Sequence, residues 1–214
     1  MILKNNPIFI IAFLFFSLSC DNKDNTDELQ DYEVGDGLIP AAIGNMWIYA
    51  DSMWIEDTLY QAFIDTIVIG DTIHALGYPW WFTKGMNENS FRSIPGMHSS
   101  FFYNENDTII SLQYAWSFYP SIKFLLPIDS NTSFYTSIED WHSHIRTVSY
   151  LDEPYIHSIA SFEDCLIFTG DEWNEETILK PGVGVLYHYV ERDDSWSGNR
   201  KLSKTLIEYD LVIE

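Results

Sequence analysis

The chain has 214 residues, 11 Lys+Arg against 32 Asp+Glu, and a formal net charge of −21. It is 46% apolar and 16% aromatic, enough buried surface to offset chain entropy, so disorder of the whole chain is excluded. The acid excess opposes nucleic-acid binding and adsorption of the folded surface to anionic lipid, both of which need a basic face.

The first element is a leader. Lys4 precedes an unbroken apolar run from Ile8 to Phe16, nine residues long. A permanent membrane span needs roughly 20 residues, whereas a secretory h-region needs fewer. Ser17-Leu18-Ser19-Cys20 follows. Residues 1–19 are therefore read as a signal peptide. Residues 20–36 form a tether whose stretch from Asp21 to Asp36 holds seven acids and one Lys. That composition describes a solvated spacer. There are two cysteines in all. Cys165 lies in an apolar, strand-like run with no basic residue beside it and reads as a buried, inert thiol.

Residues 37–214 read as one domain, with no charge block or repeat to divide them. The period is two, not 3.6. Phe63, Ile67 and Ile69 share a strand face with Asp65. Gly70-Asp71 suits a two-residue hairpin turn, with Thr72–Leu76 returning and Gly77-Tyr78-Pro79 turning again. Phe101–Tyr103 and Thr108–Leu112 flank a second hairpin signal. Further strands are expected at 47–50, 123–126, 144–150, 155–159, 165–169 and 183–190. A last one alternates Thr205, Ile207, Tyr209, Leu211 and Ile213 with Leu206, Glu208 and Asp210, a long strand with one mostly polar face. Phe91–His98 and Ser137–His142 suit single helical turns. Glu191–Asp194 reads as a solvated hairpin tip. The expected fold is mainly β: a single antiparallel, strongly curled sheet, as a half-barrel or sandwich.

Candidate sites are few. Trp80 and Trp81, in Pro79-Trp-Trp-Phe82, are candidate stacking platforms for a glycan, with core filling as the plainer reading. His142 and His144 alternate on one strand face, a half-site for a metal with His157 or Glu153 as a third ligand, but the pair alone does not define one. No metal or cofactor is assigned. There is no Gly-x-Ser-x-Gly, His-Glu-x-x-His or phosphate loop, so no catalytic residue is assigned and an enzyme is not expected.

Two resemblances add to this reading. Ser17–Cys20 resembles the lipobox of bacterial lipoproteins in a relaxed, Bacteroidota-like form, with Ser17 where Leu is usual. It implies a lipid on Cys20 as the new first residue; the alternative is an ordinary cleaved leader. The acids after it resemble export signals to the cell surface, with the periplasmic face of the outer membrane as the competing location. Leu38–Tyr49, Phe162–Leu166 and Pro181–Val185 together resemble G-N-x-W-x-Y, F-x-x-C-L and P-G-V-G motifs of a group of uncharacterised bacterial lipoproteins. That likeness implies a β-rich envelope domain and carries no catalytic residues. Here Trp47 and Tyr49 read as core aromatics, and Gly182 and Gly184 as tight turns or close approaches. Asp51-Ser, Asp57-Thr, Asp65-Thr, Asp71-Thr and Asp107-Thr resemble O-glycosylation acceptors, against a plainer reading in which Asp ends a loop and the next residue starts a strand.

The expected function is a non-enzymatic cell-envelope lipoprotein of the outer membrane. It would be held to the membrane through Cys20 and have a binding or assembly role toward a glycan or an envelope protein. The alternatives are a glycan-binding accessory lipoprotein and a metal-dependent hydrolase.

Overall fold

The computed structural model describes residues 37–75, 78–84, 101–105, 108–112, 120–127, 131–135, 145–171, 174–194 and 198–212. The leader, Cys20, the tether, His142, His144 and the two expected helical turns lie outside them. No helix occurs among the described residues, and fourteen strands do.

The strands are β1 (Met46–Ile55), β2 (Thr58–Ala75), β3 (Tyr78–Lys84), β4 (Phe101–Glu105), β5 (Thr108–Leu112), β6 (Pro120–Leu125) and β7 (Thr132–Tyr135). They continue with β8 (Ile145–Tyr150), β9 (Tyr155–Ile156), β10 (Ser161–Phe162), β11 (Leu166–Gly170), β12 (Asn174–Lys180), β13 (Gly184–Asp194) and β14 (Gly198–Asp210). Twelve of them form one antiparallel sheet in the order β6-β5-β4-β3-β2-β1-β14-β13-β12-β11-β8-β7, and β9 and β10 make a separate small ladder.

The large sheet is open, with β6 and β7 at its edges, and it is neither closed nor strongly curled. This corrects the expected half-barrel or sandwich. Register shifts within the β1–β2, β1–β14, β2–β3, β12–β13 and β5–β6 pairs bend the strands and add twist locally. The eighteen-residue β2 serves two neighbours: residues 58–68 pair with β1 and residues 68–75 with β3. Phe124 of β6 meets Phe168 of β11 edge to face at 5.0 Å, and both belong to the core.

Gly70-Asp71 is not a turn. A two-residue hairpin needs positive φ, and Gly70 is not among the glycines that have it. The strand runs on to Ala75 with a register shift between Ile69 and Asp71, and the hairpin closes where Ala75 pairs with Tyr78. The tight turn that the sequence did not announce is Glu56-Asp57, at φ 48° and 62°, between paired Ile55 and Thr58. Glu56 N–H donates to Asn199 O at 3.0 Å, and its Oε1 accepts from Asn199 N–H at 2.9 Å, which offsets the strain at a non-glycine position.

The G-N-x-W-x-Y segment is a folding device. Asn45 is fully buried; its Nδ2 donates to Pro40 O and its Oδ1 accepts from Val212 N–H, at 3.0 and 2.7 Å. It thus ties the start of the domain to its end. Trp47 and Tyr49 are both 0% exposed. Trp47 Nε1–H donates to Val183 O at 2.7 Å, and Tyr49 O–H donates to Val185 O at 3.0 Å. Those carbonyls belong to the Pro181–Val185 hairpin, so two distant motifs lock onto each other.

Gly184 sits where they meet. Its φ is 112°, and a Cβ there would lie 3.2 Å from Trp47 Nε1. Gly184→Ala is therefore expected to cost about 1–3 kcal/mol, through backbone strain plus crowding of the indole. Chemical denaturation at neutral pH checks this; an unchanged midpoint would show that the turn relaxes freely.

The last strand keeps the expected facing at Tyr209 and Leu211, which pack on the core, and reverses it on the other side of a bulge. Ile207 falls at the register shift between Ile48 and Tyr49, where Glu208 pairs with Ile48 and Leu206 with Tyr49. The extra residue flips the alternation. Leu206 and Lys204 are buried, while Ile207 is exposed.

Candidate functional site

Two constellations of polar side chains stand out, one on each face of the sheet. The inner one starts from cross-strand register. Asp51 of β1 pairs with Lys204 of β14, which pairs with His188 of β13, which pairs with Thr177 of β12. Asp65 of β2 lies opposite Tyr49. All five polar residues are buried on the face that holds the core.

Lys204 Nζ lies 2.5 Å from Asp51 Oδ2 and 2.9 Å from Asp65 Oδ2, and 5.9 Å from the centroid of the Tyr49 ring. Further along, Thr177 Oγ1 and His188 Nδ1 are 2.9 Å apart. Arg146 of β8 donates to Thr177 Oγ1 at 3.0 Å and to Glu175 Oε1 at 2.9 Å. Because the Thr177 hydroxyl accepts from Arg146, its own proton can go to His188 Nδ1. The Arg146 guanidinium also lies over Phe124 and Phe168, at 5.4 and 5.5 Å from the ring centroids. A buried polar row thus crosses the middle of the sheet from β2 to β8.

Burial raises the Asp51 carboxyl to about 6; Lys204 opposes this and Asp65 adds to it. Asp51 Oδ1 accepts no hydrogen bond, which keeps desolvation dominant. Burial also lifts the Tyr49 phenol well above its ordinary range, with Asp51 and Asp65 adding to it. It stays neutral and acts as a donor. Burial pulls Arg146 down from its ordinary value, and Glu175 counters it.

The linkage has a definite sign. In the unfolded chain Asp51 ionises at about 3.9. Folded, it holds its proton up to about 6. Its contribution is whole below the unfolded value and is lost as pH rises toward 6. Two units correspond to about 3 kcal/mol. Wild type should therefore lose about that much stability relative to Asp51→Asn between pH 4 and pH 7. Paired urea titrations across that range check it; a constant difference between the two proteins would refute it.

The outer constellation sits at the end of the sheet nearest the β1–β2 turn. Trp54, Lys201, Glu191 and Asn174 form one cross-strand row over β1, β14, β13 and β12. Glu191 was expected at a hairpin tip, but it is a strand residue with three side-chain donors. Asn199 Nδ2 reaches its Oε1 at 2.7 Å; Tyr189 O–H and Asn174 Nδ2 reach its Oε2 at 3.1 and 3.2 Å. Lys201 Nζ stands 3.7 Å away and also contacts Asp57 of the turn. The hydrogen bond from Asn199, then that from Asn174, holds the Glu191 carboxyl below its ordinary range.

The residues singled out from sequence fall elsewhere. Trp80 is 1% exposed and belongs to the core, so its ring offers no open stacking face. Trp81, its neighbour on β3, is partly buried and packs against the core cluster. His157 caps the β9–β10 hairpin: its N–H donates to Ala160 O, its Nδ1 accepts from Ile159 N–H, and burial lowers its pKa. Glu153 is exposed. Among the described residues no three His, Cys, Asp or Glu side chains form a metal-binding group. Cys165 is 1% exposed, and burial pushes its thiol up to about 11.

Of the Asp-Ser/Thr pairs, Asp57 lies in a turn and Asp71 at a register shift, where its Oδ1 takes Thr72 N–H at 2.8 Å. Asp51 and Asp65 instead stand mid-strand as the counter-charges of Lys204. The signal for one of them was visible, because Asp65 shares a face with Phe63, Ile67 and Ile69. Lys204 was hidden because the bulge at Ile207 shifts the facing of its strand.

Compared with protein-family models, with curated proteins and with solved structures, the chain matches none.

Proposed function

We propose that this chain is a cell-envelope lipoprotein: the leader is removed before Cys20, lipid is added there, and residues 21–36 hold a non-enzymatic domain off the outer membrane. The observation that carries this reading is the succession of an apolar run of nine, Ser17-Leu18-Ser19-Cys20 and a segment with seven acids. Each part serves one physical step: export, anchoring and spacing. Two features of the folded part support it. Cys165 is buried with a raised thiol pKa, which leaves Cys20 as the thiol suited to modification. The most concentrated charge of the inner face is closed off in the interior, at 0–6% side-chain exposure for Asp51, Asp65 and Lys204. A group so enclosed ties strands together and has no open face toward a substrate. The domain's role is then binding or assembly through its outer face.

Mass analysis of the native N-terminus tests the anchor. The expected product begins at residue 20 and carries diacylglycerol and acyl mass, and it partitions into a detergent phase. Cys20→Ala is expected to abolish both the added mass and the partitioning. An unmodified mature N-terminus would overturn the proposal.

A further inference from the structure

The outer face near the β1–β2 turn has an arrangement that stability alone does not explain. A partly exposed carboxylate contributes little when paired at a surface, and ordering long side chains around it costs entropy. Yet Glu191, at 26% side-chain exposure, is held by donors from three strands: Asn174 on β12, Tyr189 on β13 and Asn199 on β14. The half-buried indole of Trp54 stands in the same row across Lys201. The next row inward is small where it passes β1 and β14, with Ser52 opposite Ser203, so the surface beside the indole has low relief. Leu59 and Tyr60 at its margin are 55% and 66% exposed.

We infer that this face binds a neutral polysaccharide chain, with Trp54 stacking on one sugar ring and the Glu191–Asn174–Lys201 row hydrogen-bonding the hydroxyls of the next. The chemistry selects that occupant. Sugar hydroxyls both donate and accept, and the row offers carboxylate and amide oxygens beside ammonium and amide N–H groups at fixed positions. An apolar ring face next to such a row fits a pyranose, whose C–H face packs on an indole. Prepositioned groups lose little freedom on binding, so a shallow site can still hold its ligand. Charge excludes the rivals. At −21 the chain repels acidic polymers, and it equally repels a second copy of itself. This assignment rests on the binding role proposed above and gives that role a place on the fold. It replaces Trp80 and Trp81 as the candidate platform.

Affinity electrophoresis of the full-length protein in detergent tests it, against hydroxyethylcellulose, xylan, galactomannan and dextran as neutral chains and alginate as an acidic one. At least one neutral polysaccharide should retard the wild type. Trp54→Ala and Glu191→Gln should each weaken that retardation about tenfold or more, the loss expected when a central contact is removed. Trp81→Ala should leave it unchanged. Far-UV circular dichroism establishes that each variant is folded. Should Trp54→Ala fail to fold, Glu191→Gln and Asn174→Ala, the latter at an exposed position, decide the matter. Retardation by none of the neutral chains, by alginate alone, or undiminished in the folded variants overturns the site. The anchor is scored separately by N-terminal mass, so a failed screen leaves the lipoprotein reading standing.

Discussion

Lys204→Met is expected to cost the domain about 3–5 kcal/mol at pH 7, the penalty of leaving buried charge without its partner. Lys204 is 4% exposed and bridges Asp51 and Asp65, both buried. Methionine matches the stem of the side chain and removes the ammonium that both carboxylates contact. Protonation of Asp51 relieves part of this, because its carboxyl is already raised to about 6. The variant should therefore be least stable at neutral pH and recover as pH falls toward 4. A combined variant carrying Lys204→Met, Asp51→Asn and Asp65→Asn removes every formal charge of the trio and should regain most of the loss, since buried ion pairs are replaceable by neutral groups that fit. Denaturation midpoints of the three proteins at pH 4.5 and 7 check both statements. A single variant as stable as wild type at pH 7 would show that water reaches the triad.

Trp47→Ala should be comparably severe, at about 3–5 kcal/mol. The indole is 0% exposed and lies under the 181–185 hairpin. Truncation opens a cavity beside Gly184 and orphans the Val183 carbonyl that Trp47 Nε1–H satisfies at 2.7 Å. The two contributions separate experimentally. Trp47→Phe keeps most of the apolar volume and loses the donor, and should cost about 1–3 kcal/mol. Equal losses in the two variants would show that the hydrogen bond, not the packing, ties β1 to the hairpin. Because Gly184 faces the same ring, Gly184→Ala and Trp47→Phe should be non-additive when combined.

The inner and outer faces were unequally legible from the chain. Trp47, Tyr49, Gly182, Gly184 and Cys165 could be read one residue at a time, because large rings, small turns and isolated thiols have narrow physical uses. Strand existence was legible for the same reason: β-branched and aromatic residues alternate with polar ones over most of the chain. Facing was not. One register shift opposite Tyr49 was enough to expose Ile207 and bury Lys204, and no local composition signals a bulge of that kind. Gly70 shows the reverse, a turn signal absorbed into a continuous strand. Asp51 looked like a loop-ending residue because its counter-charge is 153 positions away, on another strand.

The chain alone determined a mainly β domain and the aromatics of its first strand. Each depends on local composition or on a period that a few residues display. Tertiary structure decided which charges meet. The Asp51–Lys204–Asp65 bridge and the Glu191 network each draw on three separate strands, and a pairing register exists only once those strands lie side by side. It also decided that the sheet stays open, with β6 and β7 left at its two edges.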